Sequence, residues 1–182
     1  GIETPSLETT NELMRQCDLV LATGGGAMVQ AAYSSGSPAL GVGVGNAVIT
    51  VDDTADLDAA AEKIRLSKTL DLAASCSSDN SVVLLDGIYE PMLEKLKAQG
   101  GYLCNEEEKA ALRNTLWDEE LHLNTAIVAQ PPEKIAQMAG LSIPEETKFF
   151  IVPEEGWGPE HPFSGEKLSV IMALYRARDI DH

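Results

Sequence analysis

Four consecutive apolar residues, Leu19-Val20-Leu21-Ala22, run directly into Thr23-Gly24-Gly25-Gly26, and Ala27 to Tyr33 then has helical character. A strand, a glycine-rich turn and a helix in that order make half of a parallel α/β unit, since parallel neighbours need a crossover that is usually a helix. The alternation continues down the chain. Ser6 to Cys17 is expected to be helical, with Leu7, Leu13 and Met14 on one side, and Gly36 to stop the second helix. Ala39 to Val51 holds two short apolar stretches around Gly41, Gly43 and Gly45, and Asp56 to Thr69 has helical periodicity. Ser81 to Leu85 is expected to be a buried strand, and Tyr89 to Gln99 an amphipathic helix stopped by Gly100-Gly101. Asn105 caps a helix with the acidic first turn Glu106 to Glu108. Ala126 to Ala129 is expected to be a strand, Pro131-Pro132 to start a helix that Gly140 ends, and Lys148 to Val152 and Leu168 to Tyr175 to be strands. The fold class is therefore α/β, three-layered, with a mostly parallel sheet and helices on both faces.

Composition narrows the function. A chain of 182 residues with 44% hydrophobic and 23% charged residues can bury a real core. Its 13 basic residues face 29 acidic ones, a formal net charge of -16. Nucleic acid and anionic membrane surfaces are excluded as partners, because both need clustered Lys and Arg. No apolar run approaches the roughly 18 residues of a membrane span, and the first ten residues lack a signal-peptide layout. Cys17, Cys76 and Cys104 fall in no metal-ligand pattern, so no metal is expected, and three cysteines make a disulfide scaffold improbable. A reducing, cytoplasmic setting follows. The opening at Gly1 and the polar ending suggest a piece of a longer protein. The small-residue stretch Ser34 to Pro38 is the candidate domain boundary.

Chemistry has few places to sit. Cys76 lies in Ala74-Ser75-Cys76-Ser77-Ser78, between a helix and a buried strand, where a thiol at a sheet edge is accessible. On spacing alone an ordinary small-residue cysteine is the simpler reading. Cys17 and Cys104 are expected to be packing residues. The glycine turn at Thr23 to Gly26 suits a phosphate or a plain tight turn equally, since it is not GxGxxG. The Gly41, Gly43, Gly45 string suits close backbone packing. His122, His161 and His182 are too scattered to pair with a thiol, and Glu166 at the mouth of a strand either binds ribose hydroxyls or is solvated.

Taken together, Ala22-Thr23-Gly24-Gly25, Ala31-Ala32-Tyr33-Ser34-Ser35-Gly36, Gly41-Val42-Gly43-Val44-Gly45-Asn46, Ser67-Lys68-Thr69, the Cys76 segment and Glu166-Lys167-Leu168-Ser169 resemble the CoA-acylating aldehyde dehydrogenases. The order and spacing of six blocks through nearly the whole chain are far more specific than any one block. The resemblance implies that Cys76 is the nucleophile, forming a thiohemiacetal with an aldehyde and then, after hydride passes to NAD or NADP, a thioester that coenzyme A takes over. It implies Thr23 and Gly24 on the nicotinamide side of the cofactor site and Glu166 on the nicotinamide ribose. It also implies an oxyanion donor beside the thiol, including the Cys76 amide.

Hydrolytic relatives have a glutamate where Gly41 stands here, so thiolysis by CoA is expected over hydrolysis. By the same resemblance, residues 1–37 would be the end of a dinucleotide-binding domain and 38–182 a thiol-bearing catalytic domain, incomplete at its C-terminus, in a homo-oligomer. This stretch alone is then expected to have little activity. The Cys76 and Pro162 to Glu166 segments look closer to members acting on sulfoacetaldehyde or succinic semialdehyde than to those acting on acetaldehyde, with Arg176 and Lys68 as candidate partners of an acidic substrate. Two rivals remain: a redox-independent cysteine acyltransferase or hydrolase, which needs a histidine at the thiol, and a non-catalytic α/β interaction module.

Overall fold

The computed structural model describes residues 4–181. The chain forms two compact units, Gly1–Gly45 and Asn46–His182.

In the first unit, Ser6 caps helix α1 (Leu7–Gln16) through a capping box with Thr9. Strand β1 (Val20–Thr23), helix α2 (Gly26–Tyr33) and strand β2 (Ala39–Val42) follow, and β1 pairs with β2 in parallel, Val20 opposite Ala39 and Thr23 opposite Val42. The expected strand–glycine–helix order is therefore completed into a whole β-α-β unit. That pairing moves the boundary: the Ser34 to Pro38 stretch is the return loop of the unit, and the division falls at 45/46 instead of 37/38. Met14, Val20, Ala22 and Ala32 form its small core.

The second unit is built on one five-stranded, wholly parallel sheet in the order β3-β4-β7-β6-β5. Its strands are β3 (Ala47–Val51), β4 (Asp79–Leu85), β5 (Gly101–Leu103), β6 (Phe149–Pro153) and β7 (Ile171–Ala177). Helices α3 (Leu57–Thr69), α4 (Tyr89–Ala98), α5 (Glu106–Leu116) and α6 (Pro132–Ala139) connect them. Asp56 caps α3 by accepting from the Asp58 and Ala59 amides, and α6 runs from Pro132 to a left-handed Gly140. Phe149 to Val152 on β6 and Ile171 to Leu174 on β7 are buried without interruption, so both faces of the sheet are covered.

Two expectations fail locally. Ala126–Ala129 is no strand: Thr125–Ile127 is one 3₁₀ turn capped by Asn124, with Ile127 plugged into the core and Ala129 left-handed at φ 54°. Four apolar residues carry no period, and burial of a single one suffices to hold them. In turn, the Gly100-Gly101 stop contains the first residue of β5, which has a positive-φ hinge at Gly100 (φ 93°) immediately before it.

Candidate functional site

Cys76 lies in a tight turn at the amino end of β4. The Ser78 amide donates to the Ser75 carbonyl (3.0 Å), and the Ser77 amide to the Ser75 hydroxyl (3.3 Å). The thiol is exposed, and among the described residues the Cys76 amide makes no hydrogen bond. A free N–H on the same residue as the thiol is what an oxyanion forming there would use. The approach to the turn is unusual: Asp71, Leu72 and Ala73 are all left-handed, with φ of 46°, 54° and 58°. Each such non-glycine residue costs about 1–2 kcal/mol. Leu72 packs against the core and Ala73 is buried, so packing holds the turn in this path.

The two other cysteines part company. Cys104 is buried, and burial, with Glu108 beside it, pushes its thiol up to about 12, which keeps it inert. Cys17 is exposed as the cap of α1, not packed as its composition suggests.

Behind the Cys76 turn is a block of buried polar side chains that sequence reasoning did not find. Lys68, Ser78, Asp79, Asn80, Ser81, Lys167 and Ser169 are all buried. The Asn80 amide group donates to the Asn46 side-chain oxygen (2.6 Å) and to the Gly165 carbonyl (2.7 Å). The Asn46 amide group donates to the Ser164 carbonyl (2.9 Å). The Lys167 amine donates to the carbonyls of Phe163 (2.6 Å) and Gly165 (3.0 Å). Burial pushes Lys167 well below its usual 10.5; Lys68 pushes the same way, and Glu154 opposes. Lys68, 2% exposed, is lowered to about 7 by burial, with Asp79 opposing. Burial raises Asp79 in turn, against its Ser67 hydrogen bond and Lys68. The only forewarning in the sequence is that Asn80 and Lys167 directly abut apolar segments.

Glu166 lies in that same unit, half-buried on the strap between Phe163 and Lys167. Thr23 and Gly24 lie in the first unit, Thr23 exposed and Gly24 donating its amide to the Val42 carbonyl (3.0 Å). A Cβ at Gly25 or Gly26 would meet nothing within 4 Å, so packing within the chain does not demand glycine there and the backbone stays open to close approach. This fits a dinucleotide cradle. Gly41 is the opposite case: a Cβ would come within 2.6 Å of Val29 and 2.8 Å of Tyr33, whose hydroxyl accepts from the Gly41 amide (3.0 Å). No side chain, and so no general base, fits at position 41.

The histidines serve elsewhere. His161 is bonded to the buried Glu154 (2.8 Å), which also pairs with Lys109 (3.2 Å), and His122 to Asp118 (3.1 Å). His182 is outside the described residues. Arg176 is near the carboxyl end of β7, paired with Asp86 and Glu90 and stacked on Tyr89. With Lys68 buried, neither cation stands free to receive an anionic substrate at the thiol. Among the described residues no cluster of His, Cys, Asp and Glu could hold a metal, and no helix is long and apolar enough to cross a membrane.

No family model matches the chain. It is 44% identical over 182 residues to the bifunctional aldehyde-alcohol dehydrogenase AdhE of Escherichia coli K12, covering 99% of this chain and 20% of that protein. It is 47% identical over 176 residues to the acylating sulfoacetaldehyde dehydrogenase of Cupriavidus necator, covering 96% of this chain and 36% of that protein. A solved acetylating aldehyde dehydrogenase from Geobacillus thermoglucosidasius superposes with a TM-score of 0.95 at 41% identity, over 99% of this chain and 40% of that one. Other solved relatives hold NADP+ or CoA, one of the latter with an acylated cysteine. The chain thus spans between a fifth and about two-fifths of the length of the proteins it matches.

Proposed function

We propose, for a chain homologous over nearly all its length to acylating aldehyde dehydrogenases, that Cys76 is the nucleophile of an NAD(P)-dependent conversion of a small aldehyde and CoA to acyl-CoA. What carries the reading is an exposed thiol with its own free amide at the amino end of β4, in a fold shared at a TM-score of 0.95 with an acetylating enzyme. The Cys76 thiolate adds to the aldehyde carbonyl, and the Cys76 N–H, which makes no hydrogen bond among the described residues, is the proposed donor to the oxygen that becomes negative. A nicotinamide cofactor, when bound, would supply the hydride acceptor for the thiohemiacetal carbon, with Thr23, Gly24 and Glu166 as the residues that would hold it. Loss of that hydride leaves a thioester on Cys76; the CoA thiol gives up its proton to solvent and attacks the acyl carbon as a thiolate, the bond to Cys76 breaks, and the acyl group leaves on CoA with the Cys76 thiolate restored.

By the resemblance Gly41 stands where hydrolytic relatives have a glutamate, and a Cβ there would crowd Val29 and Tyr33, which supports thiolysis over hydrolysis. Thr23 and Gly24 are assigned to the nicotinamide side of the cofactor and Glu166 to its ribose. Sulfoacetaldehyde is placed first as substrate, on the likeness of the Cys76 and Pro162 to Glu166 segments, ahead of succinic semialdehyde and acetaldehyde; its sulfonate would take its counter-charge from a group other than the buried Lys68 and the paired Arg176. The cytoplasm suits three unpaired cysteines.

The test is a chimera in which these 182 residues replace the matching two-fifths of the Geobacillus enzyme, assayed for NAD(P)H with each aldehyde, with and without CoA. Cys76→Ala should lower the CoA-dependent rate by more than about 1,000-fold. Activity that ignores CoA or survives the substitution overturns the reading. The 182 residues by themselves are expected to turn over far more slowly than the chimera.

A further inference from the structure

Three segments that the sequence keeps far apart are tied together around the Gly165 carbonyl. Gly165 O accepts from Asn80, four residues beyond Cys76 on β4, and from Lys167, while Asn46 at the head of β3 holds both Asn80 and the neighbouring Ser164 carbonyl. Lys167 adds the Phe163 carbonyl to the same tie. Asn80 is 4% exposed and Lys167 fully buried, so no bond in this knot is exchanged cheaply for water. Further bonds shape the strap: the Gly158 amide donates to the Ser164 hydroxyl (3.1 Å), and the Gly165 amide to the Pro162 carbonyl (3.0 Å). Glu166 is the residue between the two anchors, Gly165 and Lys167. Next to it Leu168 is left-handed (φ 44°), and its carbonyl accepts from the Ala129 amide (3.1 Å). The strap is thus fixed on both sides of Glu166, and fixed to the strand that begins just after the thiol turn.

We propose that Asn80 is a positioning residue: its side-chain amide, with Lys167, clamps the Glu166 strap to the β4 strand and thereby sets where Glu166 stands relative to Cys76. The proposal rests on the assignment of Cys76 as nucleophile and Glu166 as cofactor contact. Neither Asn80 nor Lys167 touches the reacting atoms. They act through Glu166, so their loss falls on cofactor binding, whereas the thiol turn keeps its own internal bonds among Ser75, Ser77 and Ser78.

The experiment compares Asn80→Ala and Asn80→Asp with wild type and with Cys76→Ala and Glu166→Gln in the chimera described above. Asn80→Asp keeps the shape but turns the donor toward two acceptors into a third acceptor. Both Asn80 variants should raise KM for the nicotinamide cofactor about tenfold, as the loss of about 1.4 kcal/mol of positioning would. The KM for CoA and the rate of Cys76 alkylation by iodoacetamide should change less than twofold. Glu166→Gln should raise the same KM, and Asn80→Ala added to it should raise it no further. If KM for the cofactor is unchanged in both Asn80 variants while Cys76→Ala is inactive, the clamp is overturned and the catalytic reading stands. Should Cys76→Ala stay active, the underlying reading fails whatever Asn80 does. Hydrogen exchange on the 182-residue chain guards against simple misfolding: amides of 163–168 should open faster in Asn80→Ala while those of β6 keep their protection, and equal loosening of both overturns a local role.

Discussion

In the second unit, β6 and β7 each bury four consecutive residues, so their strands read as unbroken apolar runs and both faces of the sheet are sealed. In the first unit, β1 and β2 alternate: Val20 and Ala22 are buried beneath α2, while Leu21, Leu40 and Val42 stand exposed on the opposite face, Leu21 directly beside Leu40. Parallel strands are almost always covered on both sides, and two strands alone are marginal. The difference teaches that the five-stranded unit holds itself together, whereas the β-α-β unit borrows whatever order it has from a small core of four buried residues.

Substitutions can break that contrast or sharpen it. The largest expected effect is at Phe150, fully buried on β6 between β7 and β5, with Tyr102 edge-on at 6.2 Å: Phe150→Ala should cost about 3–5 kcal/mol by chemical denaturation. Next is Lys68→Met, which should stabilise by about 1–4 kcal/mol, because a buried amine with one distant acid is worth less than a packed apolar chain. Its pH signature is specific. The folded amine releases its proton near 7, whereas the unfolded one holds it to 10.5, so between these values the unfolded state binds more protons and wild-type stability rises with pH. Denaturation midpoints measured from pH 7 to 10 should climb in wild type and lose that climb in Lys68→Met. An identical slope in both would show that Lys68 does not titrate as its burial requires.

Smaller still is Ala73→Gly, at φ 58°: relief of about 1–2 kcal/mol of left-handed strain against about 0.8 for a lost buried methyl should leave a gain of about 0.2–1.2 kcal/mol. Last comes Leu21→Ser on the bare face of the first unit, expected within about 0.5 kcal/mol of wild type. A Leu21 effect as large as that of Phe150 would erase the distinction between the units.

The alternation of strands and helices was legible because Val82 to Leu85, Phe149 to Val152 and Val170 to Leu174 are apolar runs of strand length, and helix signals such as Asn105 with Glu108 and Pro132 with Gly140 are local. The three-residue β5 carries too few residues for any period, and the apolar run at 126 to 129 is indistinguishable from a strand until Ile127 is seen entering the core. Cys76 was nominated as nucleophile by the order of blocks along the chain, not by a neighbouring histidine or other pattern around it. Asn80 and Lys167 were missed for a different reason. Composition assigns Asn and Lys to solvent, and only the three-dimensional meeting of β3, β4 and the 163–167 strap puts them inside. The domain boundary was misplaced by eight residues because Gly36 and Pro38 look like a linker, and a return loop within a β-α-β unit has the same composition.

The sheet of the second unit has two unequal ends. At one, β5 presents three residues; at the other, β3 presents five, with Val48 half exposed and, among the described residues, no strand paired along its outer side. An open parallel edge of that length is a template for another chain. In the test tube, therefore, this polypeptide should be governed as much by concentration and salt as by temperature: the formal charge of -16 keeps copies apart at low ionic strength, and screening it with salt would bring the β3 edges within reach of each other.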